Sequence, residues 1–392
     1  MNSSPACEPF LACESERTLD DRTEPMPPSP ADAPENAAPE RSQSQRPHRA
    51  ARIEDRVRAV VSRVLRARGW TPRVDPFTGY GTTRHVRVLA RVLLTSPDHD
   101  PARALDRRGW RTFLSAPAPG ETVRVQVGET VVDAVSDRGG YLDTTVETDL
   151  EAGWHEATLR PSTGTTVAAP ILVVGEGRRL GVVSDIDDTV MVTTVPRLFL
   201  AAWNTFVRHT SARVAVPGMA VLYRAIADAH PGTPFVYLST GAWNTSANLQ
   251  RFLERTGLPP GPLLLTDWGP SNSGWFRSGP EHKRTSLDRL FRELPEVDWL
   301  LIGDDGQRDP EIYARSARRD TDRVVAVAIR ELTPAQQVLA HGTPTPGVPG
   351  AELGGEPLPV PVAAGPDGVA LARSLRDVLR EGDTRTGQPA PG

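Results

Sequence analysis

Two patterns of apolar positions divide the chain. From residue 180 to 329, short apolar runs at 180–184, 235–239, 263–266, 299–303 and 324–329 alternate with stretches at 219–229, 247–256, 284–292 and 310–318. The intervening stretches repeat apolar residues at helical spacing, so they read as helices. Strands that are apolar throughout are buried on both faces, and the alternation predicts an α/β fold with a parallel sheet between helical layers. Residues 74–176 differ. Partial apolar/polar alternation runs through 86–94, 122–127 and 130–135, turns are supplied at Gly128-Glu129 and Gly139-Gly140, and further strands are expected at 141–147 and 155–159. Short strands at this spacing predict a small β domain, sandwich-like or a barrel. The Gly-rich run Asp75-Pro76-Phe77-Thr78-Gly79-Tyr80-Gly81-Thr82 lacks the order of a nucleotide motif and reads as a structural turn.

Shorter signals frame these two regions. Ile53, Val57, Val60, Val61, Val64 and Leu65 place an amphipathic helix within 49–72, which either packs on the next domain or rests on an anionic membrane surface. Within 190–216, Leu198, Phe199, Leu200, Trp203 and Phe206 are too apolar for a free loop and predict a small cap. Val369, Leu371, Ala372, Leu375, Val378 and Leu379 recur at helical spacing inside the Pro/Gly-rich tail 340–392, as a docking helix or a weak membrane contact. Residues 1–48, rich in Pro, Ser, Glu and Ala without periodicity, read as a disordered tail. The α/β domain is thus expected over 178–335, behind the β-rich domain 74–176.

Composition narrows the function classes. A net charge of −4 argues against a general nucleic-acid binder. Both cysteines, Cys7 and Cys13, sit in the N-terminal tail, which leaves the folded region without thiol chemistry. No apolar run reaches spanning length and the N-terminus lacks a signal-peptide layout, so a cytoplasmic protein, peripheral at a membrane if bound there, is expected. Of 45 basic residues only Lys283 is a lysine. Where arginine serves every generic positive charge, a lone lysine marks a place that needs a compact ammonium.

Ligands of parallel α/β sheets bind at the carboxyl ends of the strands, and the polar residues of this chain gather there. The first strand leads into Ser184-Asp185-Ile186-Asp187-Asp188-Thr189, the second ends at Ser239-Thr240-Gly241, and another ends at Gly303-Asp304-Asp305-Gly306 with Asp309 following. Lys283 opens the helix between them. Carboxylates gathered in this way repel unless a proton or a hard cation relieves them, and oxygen ligands of this kind suit Mg²⁺. Two residues apart in extended chain, Asp185 and Asp187 point the same way. Asp185 is then a nucleophile that accepts a phosphoryl group, and Asp187 the acid and base for leaving group and water. Lys283, Ser239 and nearby backbone N–H groups, with Thr240 and Gly241 in the substrate loop, hold the phosphoryl oxygens. The metal ligands expected are Asp185, Asp187, Asp304 and Asp309. Asp309 either binds through water or orients Lys283, Asp305 is a ligand or a supporting partner, and Asp188 is a loop cap or a ligand.

These four clusters, in this order, resemble the motifs of haloacid dehalogenase-like phosphatases. More closely, Phe235-Val236-Tyr237-Leu238-Ser239 with Ala242-Trp243-Asn244, Glu281-His282-Lys283, and Ile302-Gly303-Asp304-Asp305-Gly306-Gln307-Arg308-Asp309-Pro310-Glu311-Ile312-Tyr313 resemble the catalytic domain of the actin-patch-protein type of phosphatidate phosphatase. The Gly79-Tyr80-Gly81-Thr82 turn resembles the region preceding that domain in bacterial members. The likeness covers about residues 75–335 and departs from the family at Thr240-Gly241, where a Ser/Asn-Ser-Pro type of sequence is expected. It implies a Rossmann-like, HAD-like sheet, an aspartyl-phosphate intermediate, and Mg²⁺-dependent conversion of phosphatidate to diacylglycerol at a membrane surface. Two other readings stay open: a phosphatase for soluble phosphomonoesters, and a non-catalytic lipid- or protein-binding module with a vestigial phosphatase core.

Overall fold

The computed structural model describes residues 60–96, 116–192, 214–266, 279–341 and 357–376. The expected N-terminal tail, Ile53 and Val57 of the expected helix, residues 193–213 of the expected cap, and Val378 and Leu379 lie outside the described residues.

Upstream, eight strands form one hydrogen-bonded sheet: β1 (Thr71–Thr82), β2 (His85–Thr95), β3 (Ala116–Pro117), β4 (Thr122–Val127), β5 (Thr130–Val135), β6 (Tyr141–Glu147), β7 (Gly153–Pro161) and β8 (Val167–Val174). Their order is β3-β2-β1-β8-β7-β4-β5, with β6 also paired to β2. Where a sandwich of two sheets is one expectation, a parallel β1–β8 pairing, Gly79 opposite Ile171 to Thr82 opposite Val174, joins the strands into a single curled sheet. Alternation explains its core. Val86, Val88, Ala90 and Val92 of β2 point inward onto Val123, Val125 and Val127 of β4 and Leu159 of β7. The helix at 60–67 sets Leu65 against this core, whereas Val60, Val61 and Val64 remain exposed.

The second sheet is parallel throughout and contains β9 (Arg179–Asp185), β12 (Phe235–Ala242), β13 (Leu263–Thr266), β14 (Val297–Asp304), β15 (Val324–Arg330) and β16 (Val362–Gly365). Its order, β13-β12-β9-β14-β15-β16, is the doubly wound order 3-2-1-4-5-6. The chain therefore reverses its direction of winding at β9 and β14. Helices α1 (Met219–Ala229) and α2 (Ser246–Thr256) cover one face through Leu222, Tyr223, Ile226, Leu249 and Phe252. Helices α3 (Gly279–Glu293) and α4 (Asp309–Arg319) cover the other through Leu287, Leu290, Phe291, Ile312 and Ala317. A short helix, α5 (Pro334–His341), comes after β15.

Two expectations about chain ends change. The α/β fold continues past residue 335, because β16 pairs with β15 and the helix at 368–376 buries Leu371 and Leu375 in the face lined by α1 and α2. Those two leucines face the core, so packing is the role of this helix. A short ribbon, in which β10 (Met191–Val192) pairs antiparallel with β11 (Val214–Ala215), flanks the stretch where the cap is expected.

Candidate active site

The switch between β9 and β14 lies at the strands' carboxyl ends, where the two winding directions leave a crevice. Asp185 is the last residue of β9 and Asp304 the last of β14, so the topology alone brings the two carboxyls together. Asp309 opens α4, where the helix N-terminus favours a negative group. Asp185, Asp304 and Asp309 are all buried, and each offers an oxygen within 4.8 Å of the others.

Lys283 completes this centre. On α3 the buried positions are Lys283, Leu287, Leu290 and Phe291, one stripe at helical spacing. The lysine therefore enters the interior on the helix's apolar face. Its Nζ donates to Asp185 Oδ1 at 2.6 Å and to Asp309 Oδ1 at 2.5 Å. Thr189 Oγ1 donates to the other Asp185 oxygen at 3.2 Å.

The charges do not balance within the protein. Three buried carboxyls face one ammonium, with the Arg330 guanidinium the other positive group that acts on Asp304, and Asp304 Oδ1, Asp304 Oδ2 and Asp309 Oδ2 have no hydrogen-bond partner among the described residues. Burial, then the neighbouring carboxylates, push the Asp304 carboxyl well above its ordinary range. Burial likewise raises Asp185, against the pull of Lys283. For Lys283, burial disfavours the charge but Asp185 and Asp309 outweigh it, so its pKa is raised and the ammonium is retained. Buried carboxylate oxygens without donors, in a cluster where carboxyls outnumber cations, have the chemistry of a site for one hard divalent cation.

Asp187 stands apart from the three clustered carboxyls. It is half-buried, and its Oδ2 accepts a hydrogen bond from Ser239 Oγ at 2.9 Å. Ser239, inside β12, also receives the Gly241 N–H at 2.9 Å, which ties the loop back on itself. Thr266 Oγ1, at the end of β13, reaches the carbonyls of Thr240 and Gly241 at 2.8 and 3.1 Å. Gly279 begins α3 where a Cβ would meet the Thr240 side chain at 2.7 Å, so helix and loop approach closely. All the residues singled out from sequence are thus brought to one end of the sheet. They form two groups, the buried Asp185–Lys283–Asp304–Asp309 and a second pair in which buried Ser239 meets half-buried Asp187.

The supporting residues separate two readings left open by the sequence. Asp305 Oδ1 accepts the Leu332 N–H at 2.9 Å and Oδ2 accepts from Gln337 at 3.2 Å, so Asp305 fastens the chain after β15. Asp188 has a left-handed backbone, φ 60°, and its N–H donates to the Met191 carbonyl at 2.7 Å, so it makes the turn after Asp187. Arg330 is a supporting residue that the sequence does not single out. Buried at the end of β15, it donates through Nη1 to the Asp188 carbonyl and through Nε to the Pro366 carbonyl at 3.1 Å. The strand-end rule that finds the aspartates also points to Arg330, as the polar residue closing the apolar run 324–329. Gln307, equally inconspicuous in sequence, donates to the Asp187 carbonyl at 3.3 Å.

Residues 180–331 match the model of the family described as phosphatidate phosphatase APP1, catalytic domain. Over 152 residues the chain is 26% identical to phosphatidate phosphatase APP1 of Saccharomyces cerevisiae, in an alignment covering 38% of this chain and 26% of that protein. An uncharacterized protein of Schizosaccharomyces pombe is 27% identical over 162 residues, covering 39% of this chain and 25% of that one. The chain therefore spans about a quarter of the length of these curated relatives. Among solved structures, a carbohydrate acetylesterase from Xanthomonas citri aligns over 79% of this chain and 76% of its own at 10% identity, with a TM-score of 0.28. That likeness is too loose to carry an argument. The family match begins inside β9 and ends one residue past β15, so Asp185, Asp187, Ser239, Lys283, Asp304 and Asp309 all fall within the matched segment.

Proposed function

We propose that the protein hydrolyses a phosphomonoester through a phosphorylated Asp185, with a divalent cation, Mg²⁺ by its preference for oxygen ligands, held by Asp185, Asp304 and Asp309. The observation that carries this reading is the buried cluster of three carboxylates around the chain's only lysine. As it stands such a cluster is costly, since both oxygens of Asp304 and one of Asp309 are buried without donors among the described residues. It becomes intelligible as a receptor for a cation and a phosphoryl group together.

When bound, the cation neutralises carboxylate and phosphoryl oxygens. The chain's own residues do the rest. Lys283 and Thr189 fix both oxygens of Asp185, which leaves its carboxylate oriented before substrate arrives. An Asp185 oxygen forms a bond to phosphorus while the ester P–O bond breaks, and the departing alkoxide takes a proton from Asp187. Water then attacks the phosphorus of the acyl phosphate, giving its proton to Asp187, and the aspartyl C–O–P link opens at phosphorus to restore the Asp185 carboxylate. Ser239 orients Asp187 for both transfers. The family match supports phosphatidate as the substrate to test first, with diacylglycerol and inorganic phosphate as products.

A substrate panel tests the proposal: phosphatidate in detergent micelles against sugar phosphates and nucleotides, each with Mg²⁺ and with chelator. Turnover of phosphatidate that needs Mg²⁺ and falls by more than about 10³-fold in Asp185→Asn is expected, since that change removes the nucleophile's charge with little change in size. Turnover confined to soluble esters would reject the lipid, and an unimpaired Asp185→Asn protein would reject the mechanism.

A further inference from the structure

We infer that the upstream β sheet is a working part of the catalytic unit, and that Phe77 is a positioning residue for the Ser239 loop, acting through Trp243. The inference rests on the proposed roles of Ser239, which orients Asp187, and of Lys283, which fixes Asp185.

The outer face of the sheet is built for this contact. Across β1, β2 and β6, Phe77 lies opposite Leu89, Tyr80 opposite Arg87, Leu89 opposite Asp143, and Arg91 opposite Tyr141. Residues two apart on a strand share a face, so Arg87, Leu89 and Arg91 stand together with Tyr141 and Asp143. The register of β1 against β2 shifts between Phe77 and Tyr80. At that shift a Cβ on Gly79 would sit 2.3 Å from the Arg87 carbonyl oxygen, and one on Gly81 2.1 Å from that of His85. The glycines of the Phe-Thr-Gly-Tyr-Gly run thus permit an irregular strand that buries both Phe77 and Tyr80 against the α/β core.

The segment that carries Ser239 and the helix that carries Lys283 are both fastened there. Phe77, Tyr80 and Leu89 share one apolar core with Val183, Leu238 and Leu287 of β9, β12 and α3. The Phe77 ring stacks on Trp243 at 4.3 Å and 26°, with Tyr141 at 6.4 Å on the same indole. Trp243 comes directly after the Ser239–Ala242 segment, and Thr245 Oγ1 closes a turn onto the Ala242 carbonyl at 2.7 Å. Displacement of the indole therefore reaches Ser239 through a short, internally bonded segment. On α3, the Lys283 helix, Tyr80 donates to Glu293 at 2.6 Å and Arg289 donates to Asp143 at 2.8 Å.

The test compares Phe77→Ala with Leu159→Ala, a cavity variant in the sheet's own core, remote in that cluster from Trp243. Both are expected to lower the unfolding midpoint, but only Phe77→Ala should lower kcat on p-nitrophenyl phosphate, by roughly 10–100-fold, the cost of an ångström-scale misplacement. Phe77→Tyr, which keeps the ring, should restore most of the rate. Phe77→Leu serves where the alanine variant fails to fold, with an intermediate loss expected. Hydrogen exchange of the Gly241 amide reads the loop independently of turnover, and its protection should drop in Phe77→Ala and persist in Leu159→Ala. Equal protection in both variants, or equal kcat at matched loss of stability, overturns the inference. A wild-type protein that hydrolyses nothing yet shows the exchange difference would instead bring down the proposed function and leave the positioning role standing.

Discussion

Lys283 occupies a place on α3 that its neighbours Leu287 and Leu290 fill with hydrocarbon, and it is held there by two carboxylates at 2.6 and 2.5 Å. A guanidinium is planar and forked, so it cannot replace a compact ammonium between Asp185 and Asp309. Lys283→Arg should fold yet lose roughly 10²-fold in kcat/KM; near-wild-type kinetics would remove the lysine from the site. Asp304 makes the complementary case. Its pKa is raised above the ordinary 3.8 by burial and by Asp309 and Asp185, so the folded state holds its proton more tightly than the unfolded state does. Metal-free protein therefore carries no penalty from this group below the unfolded value and loses stability as pH rises through the folded one. Asp304→Asn removes the charge. In chelator it should raise the unfolding midpoint at neutral pH, by about 2–4 °C for each kcal/mol recovered, and the gain should shrink on acidification. The same variant should lose the stabilisation that Mg²⁺ gives the wild type. Thermal melts of the two proteins from about pH 5 to 8, with and without Mg²⁺, check both halves. The aspartates and the lysine are legible in sequence because each closes an apolar run or stands alone in composition. Arg330 also closes an apolar run, but as one arginine among many it has no compositional signal to set it apart.

At the level of elements, the site depends on how abruptly a strand turns into a helix. Between β14 and α4 the chain must bring Asp304 and Asp309 onto one centre, and Gly303 makes room for it. A Cβ there would lie 2.6 Å from Asp309 Oδ2 and 2.7 Å from the Tyr313 ring. Gly303→Ala should therefore push Asp309 away from Lys283, cost about 1–3 kcal/mol by overpacking, and weaken Mg²⁺ binding. Calorimetric titration with Mg²⁺ and a thermal melt read the two effects, and unchanged Mg²⁺ affinity would show that Asp309 does not need its present position. The strands that carry these residues are readable because parallel strands buried on both faces are apolar throughout. The Phe77–Thr82 run looks like a simple turn in sequence, although it is strand, for an equally physical reason. Its register shift buries five successive residues from Phe77 to Gly81, which breaks the period of two that marks a strand, and what it packs against lies more than 150 residues away at Trp243.

For the molecule as a whole, the boundary of the α/β fold is the part least visible in sequence. The family match stops at residue 331, and the Pro/Gly-rich composition after 340 suggests a tail. A parallel edge strand can nevertheless be made from four small residues, Val362 to Gly365, which give no apolar run for the eye to find. Beyond that strand the chain forms a structural lock. Gly368 lies against Gly218, where a Cβ on either residue would clash with the other segment, so the helix at 368–376 reaches the start of α1. Leu371 and Leu375 then complete the core behind β9, and Pro366 accepts the Arg330 bond whose other arm holds the Asp188 turn. The last described segment is thus connected to the turn after Asp187 through one side chain. A chain ending at 356 should lose β16 and this helix together, expose the apolar surface that the two leucines cover, and melt far below a chain ending at 376. Leu371→Ala in the full chain, at about 2–5 kcal/mol, should move the melt in the same direction without removing the strand. Equal melting of the chains ending at 356 and 376, with both monomeric by gel filtration, would mean that this segment lies outside the cooperative unit and that Arg330 holds the Asp188 turn unaided.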